Sequence, residues 1–170
     1  RAAAARVLSA LQSMKKEVDM NNPVNQIYLL HKEALIHSQL ASYYYSIEDW
    51  GTCLDDSRVA INAITDVLAI CEEKSPDFAG YVLEYVDMAS QASEAFFHLQ
   101  QYEEALEWAQ AALKNAEVLF NTFRGEERVI ARDLARLHSL MAKMLIYNPQ
   151  VEKYLDLAEK QLKLARMSKL

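Results

Sequence analysis

The sequence predicts an all-α chain, about seven helices taken in antiparallel pairs, and three observations predict it. In the stretch 98–117, Tyr102, Ala105, Ala109, Ala112 and Ala116 recur at steps of three or four, which places them on one helical face. Four of these five are alanine, so that face can press close against another helix. Only three Gly and three Pro interrupt 170 residues, and no segment alternates with period two for long enough to be a strand. The third observation is a recurrence of small and aromatic residues about 50 positions apart, which emerges once the elements are placed in order.

The first 20 residues carry an apolar stripe of Val7, Leu8, Leu11, Met14 and Val18, an amphipathic helix that Asn21, Asn22 and Pro23 break. A second helix is expected over 23–46, apolar on two faces: Ile27, Leu30, Ala34, Ala41 and Tyr44, then Ile36, Leu40, Tyr43 and Ile47. Glu48 to Gly51 reads as a turn. The third helix runs on to about Glu73, with Cys53, Ser57, Ala60, Ile64, Val67 and Cys71 inward. Ser75 and Pro76 signal a capped start for the fourth, which runs to about Leu99. A fifth follows from about Glu103 to Phe123, ended by Gly125. The sixth covers 126–147, and Asn148 with Pro149 repeats the cap-then-proline signal ahead of the seventh. The expected organisation is one domain over 1–170, with a capping helix at 1–22 and hairpins at 23–74, 76–124 and 126–168.

Overlaying the hairpins brings small residues together at Ala41, Ser93 and Ala142, followed three positions later by Tyr44, Phe96 and Leu145. At the turn fall Trp50, Tyr102 and Val151; on the return helix fall Cys53, Ala105 and Tyr154, then Ala60, Ala112 and Gln161. This pattern resembles the tetratricopeptide repeat (TPR). Tyr154 and Gln161 stand where that family has alanine, and the spacing of about 50 exceeds its usual 34 because each helix is longer. The resemblance implies a TPR-like α-solenoid of three hairpins plus the N-terminal helix, and a protein-binding scaffold or adaptor. An ordinary helical bundle also has alanine-rich contacts.

Composition excludes several function classes. The net charge of −6 argues against non-specific nucleic-acid binding, which wants a basic surface. No run of about 18 apolar residues is present to span a membrane. Neither a signal-peptide pattern nor an initial methionine is present, which suggests a fragment of something longer. Cys53 and Cys71 lie 18 residues apart on one expected helix, about 27 Å, too far for a mutual disulfide. Two thiols on the apolar face fit a reducing, intracellular and cytoplasmic setting. The histidines His31, His37, His98 and His138 form no metal-ligand spacing, and the glycines form no phosphate loop. No catalytic residue, metal or cofactor is expected.

The surface remains. By the TPR resemblance, the groove-lining face falls six and three positions before each small residue and one and four after it. That gives Leu35, Ser38, Ser42 and Tyr45; then Asp87, Ser90, Glu94 and Phe97; then Arg136, Ser139, Lys143 and Ile146. Ser38, Ser90 and Ser139 align as a polar floor, and Tyr45, Phe97 and Ile146 as an apolar row that the repeat itself does not require. Arg128, Arg132, Arg136 and Lys143 share one helix face. They read either as a basic stripe for an acidic peptide or as partners of Asp87 and Glu94 within the chain. The carboxylate clamp that some TPR proteins use to hold a C-terminus is not matched: of Ser38, Ser42, Gln91, Arg136 and Leu140, only Arg136 keeps the chemistry. The partner-binding candidates are thus Tyr45, Asp87, Glu94, Phe97, Arg132, Arg136, Lys143 and Ile146. The expected function is a non-catalytic adaptor holding a peptide or partner helix. The alternative is a structural segment that docks onto neighbouring repeats or forms a homodimer.

Overall fold

The structure, a computed structural model, describes residues 2–122 and 127–167, and the side chains of all of these except 127–129, 151, 153 and 154. It is all-α: seven helices and no strand among the described residues. They are α1 (Ala2–Glu17), α2 (Pro23–Ser46), α3 (Trp50–Ile70), α4 (Phe78–His98), α5 (Tyr102–Thr122), α6 (Glu127–Tyr147) and α7 (Val151–Met167). The chain divides into two compact units, Arg1–Met88 and Ala89–Leu170, with the boundary inside α4. The expected stop at Gly125 lies outside the described residues, as do the side chains of Arg128, Val151 and Tyr154.

In the first unit α1 packs on α2 and α2 on α3. Asn22 is extended (φ −82°, ψ 117°) and its Oδ1 accepts the Val24 N–H at 2.9 Å, so an otherwise orphan donor is satisfied while Pro23 takes the first helical position. Lys15 Nζ on α1 reaches Glu33 Oε2 on α2 at 2.6 Å. The α2–α3 contact buries Ala34, Ala41 and Tyr44 against Cys53, Ala60, Ile64 and Val67. Leu29 is also buried, although neither expected face of α2 included it. The second expected face is partly open, since Tyr43 and Ile47 are exposed.

The turn between α2 and α3 is shorter than expected. Trp50 and Gly51 already belong to α3, and Glu48 alone adopts a left-handed conformation (φ 60°). Its N–H bonds Tyr45 O at 3.1 Å, and the Asp49 N–H bonds Tyr44 O at 3.0 Å. This paired closure is a Schellman motif, which satisfies the last carbonyls of α2. Fifty-two residues on, the same motif recurs: Gln100 (φ 62°) bonds Phe97 O and Gln101 bonds Phe96 O, each at 3.0 Å. The first two overlaid hairpins therefore share their turn geometry as well as their small residues.

Two helix starts move. Ser75 Oγ accepts the Asp77 N–H at 3.4 Å and Phe78 N–H bonds Ser75 O at 3.1 Å, a tight turn that delays α4 to Phe78. Asn148 Oδ1 likewise accepts Gln150 N–H at 2.8 Å, and α7 starts at Val151. Cys71 moves too. α3 stops at Ile70, leaving Cys71 as an extended cap (ψ 133°) that is half-buried rather than inward, whereas Cys53 is fully buried.

In the second unit α5 packs on α6 and α6 on α7. Ser93, the small residue of its α4 segment, is fully buried and donates from Oγ to Ala105 O at 2.5 Å, with Met144 Sδ at 3.3 Å. Ala142 and Leu145 of α6 are buried as the overlay places them, as are Ala112 and Ala116 of α5. His138 and Gln161 are both buried, and His138 Nδ1 donates to Gln161 Oε1 at 2.6 Å. The departure from alanine at Gln161 thus has a physical partner facing it. The first unit holds its counterpart, His37 Nδ1 donating to Asp56 Oδ1 at 2.7 Å across α2 and α3.

Candidate partner-binding surface

The eight candidate residues fall in both units, and each unit shows its own arrangement. In the first, Tyr45 is half-buried and meets Trp50 edge to face, with centroids 5.1 Å apart at 82°. Asp87 is exposed on α4. In the second, Phe97 meets Tyr102 in the equivalent way, 5.7 Å apart at 73°. The repeat does therefore use a large ring at this position, contrary to the sequence expectation. It braces the Schellman turn against the aromatic that opens the next helix, a contact worth about 0.5–1.5 kcal/mol beyond area burial.

Phe97 has further neighbours. Tyr147, at the end of α6, lies 5.9 Å from it at 83°, and Lys143 Nζ stands 4.8 Å from its ring centroid. Phe97, Lys143 and Tyr147 thus form one cluster, with Glu94 half-buried one turn back on α4. Tyr147 was absent from the candidates, yet it is 64% exposed. An aromatic just ahead of Asn148 and Pro149 was the available signal.

Along α6, Arg132, Arg136 and Lys143 are all exposed, as is Ser139 between them, and Ile146 (44% exposed) closes the row beside Tyr147. The spacing puts cations and apolar end on one side of a single helix, so the stripe needs no other element to align it. The hydroxyl floor changes character. Ser38 is half-buried, its carbonyl accepting from the neighbouring Ser42 Oγ at 3.0 Å, and Ser139 Oγ donates to Ala135 O at 2.9 Å, the carbonyl four residues back on its own helix. Ser90 is buried, so it does not line an open floor. Among the described residues no group of three or more His, Cys, Asp or Glu could hold a metal ion, and no helix is long and apolar enough to cross a membrane. No protein-family model, curated protein or solved structure matches this chain.

Proposed function

We propose that this chain is a non-catalytic, TPR-like adaptor that docks an acidic segment of a partner protein along α6. The observation that carries the reading is the exposed row Arg132, Arg136 and Lys143 running into Ile146 and Tyr147, with Phe97 beneath Lys143. Cations along the row attract carboxylates and select orientation, while the apolar end offers a ring and a branched side chain for an anchor. The chain as a whole is acidic at −6, so this row stands out against the mean field. The reading rests on the second unit alone. Neither the buried Cys53 nor the half-buried Cys71 is in a disulfide, which suits a reducing compartment.

The test is fluorescence anisotropy with labelled peptides carrying four carboxylates and one aromatic, against basic peptides of the same length. Acidic peptides should bind and basic ones should not. Tyr147→Ala should weaken binding about tenfold or more at any salt, because an interface anchor is worth about 2 kcal/mol. Arg136→Glu should weaken it chiefly at low salt. Phe97→Ala is the less clean variant, since Phe97 also braces the α4–α5 turn. Equal binding of both peptide classes would remove the basic row from the reading.

A second reading, a structural segment that self-associates, draws on α7, where Leu155 (51% exposed), Leu162 and Met167 are uncovered. Sedimentation velocity separates the two, because a homodimer through α7 is lost on Leu155→Glu while peptide binding persists.

A further inference from the structure

The first unit contains a cleft that the docking reading leaves unused. It opens between the start of α2, the connection after α3 and the start of α4, with a volume of about 320 Å³, within the size range of small-molecule sites. Three of its eight lining residues carry rings: Tyr28 and His31 from α2 and Tyr81 from α4. His31 and Tyr81 meet edge to face, with centroids 4.9 Å apart at 69°, so the two rings form adjacent walls rather than one stack. His31 Nε2 donates to Glu84 Oε2 at 2.8 Å, which fixes the imidazole from behind. Tyr28 is 52% exposed, and the Lys32 ammonium stands 5.5 Å from its centroid, a cation with which a guest on that ring competes.

The cleft also carries negative charge. Asp77 lines it. Burial holds the Tyr81 phenol above its ordinary pKa, and Asp77, Cys71 and Glu84 push it the same way, so a further negative charge is disfavoured there. Ring faces are the negative ends of aromatic quadrupoles, and with a carboxylate at the rim they favour a positive guest. A hard metal ion would need six or more oxygen ligands, and the lining side chains offer one carboxylate, Asp77, with the hydroxyls of Tyr28, Ser75 and Tyr81, beside the apolar Val24 and Ile27. A cation sheathed in methyl groups meets such walls without losing strong hydration.

We propose that this cleft binds an alkylated ammonium group, held against the faces of Tyr28 and Tyr81 with Asp77 as its counter-charge. The group can arrive on a free choline-like amine or on a methylated lysine side chain. The site is independent of the α6 reading, so either can fail alone.

The experiment titrates tetramethylammonium chloride into the isotope-labelled chain, followed by amide chemical shifts. Sodium chloride serves as the ionic-strength blank, and neutral 3,3-dimethylbutan-1-ol, similar in shape, as the uncharged control. Saturable shifts confined to residues 24–31 and 71–84 are expected, with the neutral analogue at least about threefold weaker. Asp77→Asn, on the exposed connection, should weaken the ammonium about three- to tenfold and leave the alcohol unchanged. Tyr28→Ala, at an exposed position, should weaken it by a similar factor with the circular dichroism unaltered. Choline and a trimethyllysine peptide form the last two arms; tighter binding of either supports the proposal and identifies the source. The proposal is overturned if no saturation occurs below about 100 mM, if the alcohol binds as well, or if Asp77→Asn changes nothing.

Discussion

Gln161 occupies the position at which the other two hairpins carry Ala60 and Ala112, and its amide is buried all the same. A buried amide without a partner is costly, so its retention rests on the His138 Nδ1–H that it accepts at 2.6 Å. Gln161→Ala should then destabilise by about 1–3 kcal/mol, because it strands the imidazole donor and opens a void. Replacing both partners by leucine should recover most of that loss, since no polar group is then left unsatisfied. Urea denaturation of the two variants decides the matter, and a neutral single variant would mean the pair is wet. His138 could be singled out from the sequence because it shares a repeat position with His37. Gln161 looked only like a departure, since nothing local shows that a residue 23 positions away supplies its hydrogen bond.

At the scale of elements, the helices were legible because each has an apolar face at helical spacing, and the small residues of the overlay were legible because contact distance demands them. Ala41, Ser93 and Ala142 are all buried as that demands. Helix ends were less legible. Ser75 and Asn148 do cap, but each bonds two residues ahead and makes a tight turn before the helix begins, which displaced the expected starts. The Schellman turns were invisible for a different reason: the left-handed position holds Glu48 and Gln100, where glycine would have announced it. That choice carries strain, for a side chain in this conformation costs about 1–2 kcal/mol. Gln100→Gly should therefore stabilise by about 0.5–1 kcal/mol after the extra freedom of glycine in the unfolded chain is subtracted. Thermal melting reads the sign directly; destabilisation would mean that the side chain holds the turn. The same reasoning explains the candidate site. Tyr45 and Phe97 were correctly aligned, but their ring partners Trp50 and Tyr102 open the following helices, and the brace became visible only with the turn itself.

For the molecule as a whole, the helix pairs that pack are neighbours in sequence, so stability should be held locally and summed along the chain. The boundary between the two compact units falls inside α4, which is helical through Met88 and Ala89. A continuous helix shares cooperativity across that point, while the cores on either side are built from different residues, Leu29 and Ile64 in one, Leu119, Leu137 and Leu145 in the other. These facts predict graded rather than all-or-none opening. In native-state hydrogen exchange, Gln161→Ala should speed exchange through α6 and α7 by about fivefold or more, the factor that 1 kcal/mol represents. Amides of α4 should respond by less, and those of α2 and α3, in the other unit, should not change. Uniform acceleration along all seven helices would show instead that the chain opens as one unit, with α4 transmitting the loss in full.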